Sequence, residues 1–310
     1  MNYNFHKKTL IIAISGVVVV IALAILLWFS YATKGTSEEV ETIVKRDSAA
    51  LCVAVMPTLD CLPAMVAYDD SLFKAANANV FIETFATQMD CDTALIGGSA
   101  QLAFTDVIRA QRLIRKKVAI DYYSKTPLSW KFITNPRSRV REMKDMEEKL
   151  VGITRFSGTD FLAELAIDSA KMKREKVFRV QINDLNIRLS MLLNNELDGV
   201  LLPEPYATEA SNHNNKVLYD FARNSFSLGT IVMRKDLIAD STEVDRFALG
   251  YNMAVDSINK NGIQHYRETI KKYFNVKSST IDSLKQMRFE HVTPVNASDK
   301  ILAQKWLDKH

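Results

Sequence analysis

Apolar and polar positions follow one another in two successive blocks, and each block predicts strands connected by helices. Six short apolar runs have the length and β-forming composition of buried strands: residues 51–56, 79–85, 101–104, 150–154, 178–182 and 197–202. The segments between them carry apolar side chains at helical spacing, as between Cys61 and Lys74. Short connections between alternating strands and helices predict two α/β lobes, each a mainly parallel sheet flanked by helices.

The remaining segments are assigned from the same patterns. Strand-like runs at 118–123 and 129–134 lie between the two blocks, and the charged segment 137–148 predicts a solvated helix. A further strand is predicted at 226–234, and helices are predicted at 241–260, 262–274, 278–287 and 297–309. Asp90 is a predicted N-cap, of a helix that ends at Gly97-Gly98.

Residues 1–32 predict a membrane segment. Leu10–Phe29 is a run of twenty residues without a charge, long enough to cross the apolar core of a bilayer as a helix. Lys7 and Lys8 precede it and place its amino end in the cytoplasm, so the rest of the chain is expected outside the inner membrane, in the periplasm. An uncleaved anchor is favoured over a signal peptide, whose apolar core is typically about 7–15 residues long. Residues 33–48 are polar and predict a linker.

Composition and cysteine content narrow the function classes. The 310 residues are 47% hydrophobic and 25% charged, with a net charge of +4 spread along the chain. Basic residues do not cluster with aromatic ones, so nucleic acid is not an expected partner. The three cysteines leave at least one free thiol, and a disulfide between Cys61 and Cys91 stays open at this point. Neither a metal-ligand spacing nor a cofactor motif is present.

Three segments carry a resemblance to a known family. They are Pro63–Lys74, Asp92–Asp106 and Glu196–Ala207, the last reading Glu-Leu-Asp-Gly-Val-Leu-Leu-Pro-Glu-Pro-Tyr-Ala. In this order they resemble the periplasmic substrate-binding proteins of the nitrate/sulfonate/taurine and thiamine-pyrimidine group, which work with ABC importers. The resemblance implies the two-lobed type 2 periplasmic-binding-protein fold, a hinge between the lobes, a small-molecule ligand, a permease partner in the inner membrane and no catalysis.

The resemblance also implies how the lobes divide the chain. Residues 49–120 form the first part of lobe 1, and residues 121–224 form lobe 2 with the hinge crossovers. Residues 225–310 return to lobe 1 and end in C-terminal helices.

Ligands of open α/β sheets bind at the carboxyl ends of the strands, and the loops there supply the candidate binding residues. The predicted ligand-binding residues are Thr58, Asp60, Gln88, Thr105, Asp106, Phe156, Ser157, Thr159, Asp184, Glu204 and Tyr206. Hydroxyls and backbone N–H groups at helix starts suit anions. Glu204 is fixed between Pro203 and Pro205, so its carboxylate is expected to point into the cleft in a defined pose.

Charge on these loops favours a basic ligand. Five acidic residues map to the cleft rim, Asp60, Asp90, Asp106, Asp184 and Glu204, against Arg155 and Arg109. An amine, a thiamine-precursor-like heteroaromatic or another N–H donor is therefore expected, with a sulfonate as the alternative.

Two other functions stay open. One is a cleft enzyme of the menaquinone-route dehydratase type, although such an enzyme would not need Leu10–Phe29. The other is a ligand-sensing ectodomain, but the nine residues before the apolar run are too few to form the output domain that such a sensor needs.

Overall fold

The computed structural model describes residue 47, residues 49–239 and residues 241–310. Asp47–His310 form one compact unit. The predicted anchor and nearly all of the predicted linker lie outside the described residues. None of the described helices is both long enough and apolar enough to cross a membrane.

The described residues form ten strands and eleven α-helices, with several short 3-10 turns. The strands are β1 (Leu51–Val55), β2 (Val80–Thr84), β3 (Leu102–Asp106), β4 (Ile120–Thr126), β5 (Trp130–Thr134), β6 (Leu150–Ile153), β7 (Phe178–Gln181), β8 (Gly199–Pro203), β9 (Lys216–Asp220) and β10 (Gly229–Arg234). The helices are α1 (Leu62–Asp69), α2 (Leu72–Ala75), α3 (Gln88–Gly97), α4 (Val107–Arg115), α5 (Gly158–Ser169), α6 (Leu185–Leu193), α7 (Tyr206–Asn212), α8 (Ser241–Asn261), α9 (Arg267–Phe274), α10 (Ser278–Ser283) and α11 (Ala297–Leu307).

Two five-stranded sheets organise the two lobes, and both are mixed. The first has the order β2-β1-β3-β10-β4, and the second has the order β7-β6-β8-β5-β9. In each sheet the first three strands are parallel, as predicted. The fourth strand, β10 or β5, runs antiparallel to both of its neighbours. The expected α/β class is confirmed, but the expectation of mainly parallel sheets misses these antiparallel strands, which enter each sheet from the other lobe.

Within the described residues, three segments connect the lobes. Residues 127–129 lead from β4 in the first sheet to β5 in the second, and residues 221–228 lead from β9 back to β10. Residues 284–296 then link α10 to the C-terminal helix α11. That helix packs against both lobes, because Trp306 lies in one buried cluster with Ile108 of α4 and Phe161 of α5.

The buried core continues from one lobe into the other. One apolar cluster packs the first sheet against α1, α8 and α9. The other two clusters each contain residues of both lobes, for example Ala54 and Ala103 together with Val200 and Leu202. The carboxyl ends of the parallel strands of the two sheets therefore face one another across a narrow interface.

Several local predictions are corrected by the structure. The predicted helix at 137–148 is instead two 3-10 turns, Pro136–Ser138 and Met143–Met146, separated by Arg139 with φ 58°. The predicted helix from Cys61 to Lys74 is interrupted because Ser71 is left-handed, with φ 59°. The sequence pattern gave no sign of β9 or α7. Thr87, not Asp90, caps α3, although Gly98 ends that helix in the left-handed conformation as expected.

All three cysteines are buried, and no disulfide joins them. Cys61 and Cys91 are therefore not joined, and burial raises the pKa of both thiols. Buried, protonated thiols of this kind pack as small apolar side chains.

Candidate functional site

A cavity lies between the lobes, at the carboxyl ends of the strands of both sheets. Its walls come from the loop after β1, from the end of β3 and the start of α4, from the start of α5, from the loop before α6 and from the end of β8. The space inside is about 40 Å³, enough for only a few water molecules. A small solute enters this cleft only if the lobes move apart at the connecting segments.

Seven of the predicted site residues line this cleft. They are Thr58, Asp60, Gln88, Thr105 and Asp106 from lobe 1, and Ser157 and Thr159 from lobe 2. The loops that a sheet brings together at its carboxyl edge thus meet as expected. Whether these side chains bind a ligand stays a prediction.

Two polar atoms of lobe 1 lack a hydrogen-bond partner within the described part of the chain. Asp60 is only 2% exposed; its Oδ2 accepts a hydrogen bond from Thr126 Oγ1 at 2.9 Å, while its Oδ1 has no partner. Thr105 Oγ1, 1% exposed overall, is likewise unpartnered. Burial raises the pKa of the Asp60 carboxyl. Buried polar groups without partners are costly, so these two atoms mark where a ligand would gain most from hydrogen bonding.

Asp106 lies where the two lobes meet. Its carboxylate caps α4, accepting from the Arg109 backbone N–H at 2.9 Å, and lies beside Gly158, the first residue of α5 in lobe 2. A β-carbon on Gly158 would lie 3.3 Å from Asp106 Cγ and 3.0 Å from Trp130 Cη2, so a larger residue there would crowd both side chains. Burial raises the pKa of Asp106 to about 6, although Arg109 opposes that shift.

The start of α5 is held by its own hydroxyl groups. Ser157 Oγ accepts from the Thr159 backbone N–H at 3.1 Å and donates to the Thr154 carbonyl at 2.7 Å. Thr159 Oγ1 in turn accepts from the Thr154 backbone N–H at 2.8 Å. These hydroxyls primarily cap and fix the loop. They can contribute to ligand binding only by exchanging one of these partners.

Arg188 places a buried positive charge in the cleft wall that the sequence reasoning did not predict. Its guanidinium donates to the Leu201 carbonyl at 2.8 Å, to Thr154 Oγ1 at 2.7 Å and to the Ile182 carbonyl. No carboxylate of the described residues forms an ion pair with it, and burial lowers its pKa to about 10. The sequence did contain a signal for a buried arginine, because Arg188 lies on the same helical face as the buried leucines of α6.

The lining of the cleft is balanced in charge, whereas the predicted rim was acidic. Asp60 and Asp106 face the two guanidiniums of Arg188 and Arg109. Arg109 is also bound to Asp92 outside the lining, with Nε and Oδ2 3.0 Å apart. The predicted excess of carboxylates is absent because Asp90, Asp184 and Glu204 do not line the cleft.

Four predicted residues lie outside the cleft lining. Glu204 Oε1 is 2.5 Å from Lys131 Nζ, and its other oxygen accepts from the Thr208 backbone N–H at 3.0 Å. Asp184 caps α6, with its carboxylate bound to backbone N–H groups. Tyr206 is 1% exposed within the core. Phe156 lies at the mouth of the cleft, with the Arg112 guanidinium 4.8 Å above its ring.

Several apolar residues of the cleft were also not predicted as site residues. They are Met56, Leu128, Trp130, Leu185 and Pro203. Trp130 begins β5, and its position in the strand pattern gives no indication that its ring reaches the cleft. Among the described residues, no group of three His, Cys, Asp or Glu is arranged to hold a metal ion.

Comparison with known proteins gives similarity in structure only. No family model matches the sequence, and no curated protein matches it. The alkanesulfonate-binding protein SsuA from Xanthomonas axonopodis pv. citri bound to MOPS superposes with a TM-score of 0.73 at 12% identity, over 85% of this chain and 92% of that one. The periplasmic nitrate-binding protein NrtA from Synechocystis PCC 6803 gives a TM-score of 0.66 at 9% identity, over 83% and 85%.

A third structure is a mutant of DSZB in complex with biphenyl-2-sulfinic acid. It superposes with a TM-score of 0.57 at 12% identity, over 84% of this chain and 92% of that one. The resemblance drawn from the three sequence segments is thus confirmed at the level of the fold. The chain has the two-lobed fold of the periplasmic substrate-binding proteins for sulfonate and nitrate.

Proposed function

We propose that this chain is an extracytoplasmic substrate-binding protein that captures a small solute between its lobes and delivers it to an ABC permease. The observation that carries the proposal is the unpartnered pair of polar atoms, Asp60 Oδ1 and Thr105 Oγ1, in a buried cleft between two hinged lobes. Sites of this kind are formed by a few convergent polar groups in an otherwise apolar wall.

The ligand would carry an N–H donor directed at Asp60, as an amine or an aminopyrimidine of the thiamine-precursor kind does. A carboxylate that accepts from a charged or N–H donor forms one of the stronger hydrogen bonds in proteins. A sulfonate is the alternative ligand, and the buried guanidinium of Arg188 supports it. The structural similarity to binding proteins for alkanesulfonate and nitrate points the same way.

The membrane part of the proposal rests on the sequence alone. Leu10–Phe29 would stay attached as an anchor, with the binding unit held in the periplasm by residues 33–48. Amino-terminal sequencing of the exported protein tests this directly. A mature protein beginning at Thr33 would show that the segment is a cleaved signal, and the solute-binding proposal would be unaffected.

An enzyme is the second candidate, favoured by one specific observation. Asp60 and Asp106 are both buried carboxylates whose pKa values are raised, which is a property of general acids and bases as well as of binding sites. A substrate-binding protein would return its ligand unchanged, and mass spectrometry of the ligand after incubation separates the two candidates.

The decisive experiment is a thermal-shift screen of the protein with aminopyrimidines, primary amines and sulfonates, followed by calorimetry on each compound that raises the melting temperature. A ligand that binds only the folded protein raises the stability of that protein by mass action. We expect stabilisation by members of one of these three classes. The absence of any stabilising compound, in a panel that covers all three, would contradict the proposed ligand chemistry.

A further inference from the structure

A second cavity lies behind the cleft, on the other side of Leu128 and Trp130. These two side chains line both cavities, so they form the wall between them. The second cavity, here called the hinge groove, has a volume of about 580 Å³. That volume falls within the range of about 300–1,000 Å³ that is typical of small-molecule sites. The hinge groove can therefore hold a ligand without any movement of the lobes.

All three connections between the lobes contribute walls to the hinge groove. Residues 127–131 form one side, residues 220–228 form another, and residues 285–288 with Asn296 form the third. A molecule bound here contacts every segment that must bend when the lobes separate. Its affinity would consequently differ between open and closed arrangements, which is the condition for coupling two sites.

The charges of the hinge groove favour an anion. Three cations, Lys131, Lys285 and Arg288, face two carboxylates, Glu204 and Asp220. Glu204 already neutralises Lys131, with 2.5 Å between their charged atoms. Asp220 accepts from the Ala222 backbone N–H at 3.1 Å and caps a short turn. Lys285 and Arg288 are exposed and form no ion pair with any described residue. These two cations are thus available to an incoming anionic group.

The remainder of the lining is largely apolar. Leu128, Phe226 and Met287 are the partly exposed apolar residues there, and Phe226 packs edge-on against Phe161 with 5.7 Å between ring centroids. An anion without an apolar body would leave this surface in contact with water. A molecule that carries both an apolar group and one acidic group can cover this surface and form ion pairs with Lys285 and Arg288.

We propose that the hinge groove binds a small amphipathic anion, namely a carboxylate or sulfonate on an aromatic or aliphatic body, at a site separate from the cleft. Trp130 lines both the hinge groove and the cleft, and its Cη2 would be 3.0 Å from a β-carbon at Gly158, which lies between the cleft residues Ser157 and Thr159. A molecule bound in the groove therefore lies next to a residue of the cleft wall. This arrangement gives the groove a direct physical contact with the residues that close the cleft.

Binding to the hinge groove is tested with the fluorescent probe anilinonaphthalene sulfonate on the folded unit Asp47–His310. That unit is suitable because it is compact and contains all three apolar clusters, and it needs no detergent that would take up the probe. The double variant Lys285→Ala/Arg288→Ala should weaken probe binding by about fivefold or more. The matched control Arg137→Ala/Lys305→Ala makes the same change of charge at exposed positions away from the groove and should leave the affinity unchanged.

Two further measurements separate the groove from other binding. Ser225→Trp places a large side chain at the exposed edge of the groove and should abolish binding in a protein that remains folded. Phenylnaphthylamine, which lacks the sulfonate, should bind more weakly and should not respond to the loss of Lys285 and Arg288. Probe affinity that survives both the double variant and Ser225→Trp would overturn the proposal. Loss of probe binding in Thr105→Val alone, which removes a cleft hydroxyl and keeps the side-chain shape, would place the probe in the cleft and would overturn the proposal equally.

Discussion

Replacement of Asp60 by Asn is the most informative change to the cleft. The carboxylate is 2% exposed, one of its oxygens is bound to Thr126 and the other has no partner. A ligand N–H donor that reaches this oxygen forms a charge-assisted hydrogen bond, which contributes about 1.5–3 kcal/mol. Removal of the charge in Asp60→Asn should thus weaken binding by about 10- to 150-fold.

The same substitution should not weaken the fold, because it removes a charge whose burial is unfavourable. Burial raises the pKa of Asp60 above its usual value, so ionised Asp60 destabilises the folded protein at neutral pH. Asn keeps the shape and can still bond to Thr126. The melting temperature of the unliganded variant should therefore stay the same or rise, while the ligand affinity falls. This opposite response distinguishes a lost contact from partial unfolding.

The assay is calorimetry with the compound that stabilises the protein most in the thermal-shift screen, and Glu204→Gln is the matched control. That control makes the same chemical change at a carboxylate outside the cleft lining, where Lys131 is its partner. We expect the affinity of the control to stay within about twofold of the parent. Equal affinities of Asp60→Asn and the parent would refute the reasoning. A loss confined to Glu204→Gln would return Glu204 to the site, as the sequence first indicated.

Four further substitutions, one of them a control, test the structure itself. Asp106→Asn should raise the unfolding free energy above pH 6 by up to about 3 kcal/mol, because the pKa of Asp106 rises from its usual 3.8 to about 6 on folding and the parent loses stability as pH rises through that interval. Urea titrations at pH 4 and 7.5 measure this, and an equal effect of the substitution at both pH values would contradict it. Gly229→Ala should lower the unfolding free energy by roughly 1–3 kcal/mol or more, because its β-carbon would lie 2.6 Å from a backbone oxygen. Gly97 has open space around it, so the control Gly97→Ala should leave the unfolding free energy unchanged or raise it in the same denaturation assay. Trp306→Phe should cost about 1–3 kcal/mol in that assay, because the buried carboxylate of Glu164 loses the indole N–H at 2.8 Å; an unchanged midpoint would show that this bond does not hold the C-terminal helix.

The sequence by itself determined the fold class and much of the cleft. Buried parallel strands need continuous apolar runs of limited length, and six such runs in two blocks lie close to the observed strands β1–β3 and β6–β8. Because ligand loops follow the carboxyl ends of such strands, seven of the eleven predicted residues came to line one cavity. Local capping was less well determined, because Thr87 and not the predicted Asp90 caps α3.

Only the tertiary structure decided which charges face the cleft. Glu204 follows β8, as predicted, yet its side chain turns to Lys131, a residue of β5 seventy-three positions away in the chain. Arg188 could be placed on an apolar helical face from the sequence, but its partners on β8 and beside β6 come from distant segments. Trp130 reaches the cleft only because β5 enters the second sheet antiparallel to β8. Side-chain direction at a lobe interface depends on how whole sheets pack, and local periodicity carries no information about that packing.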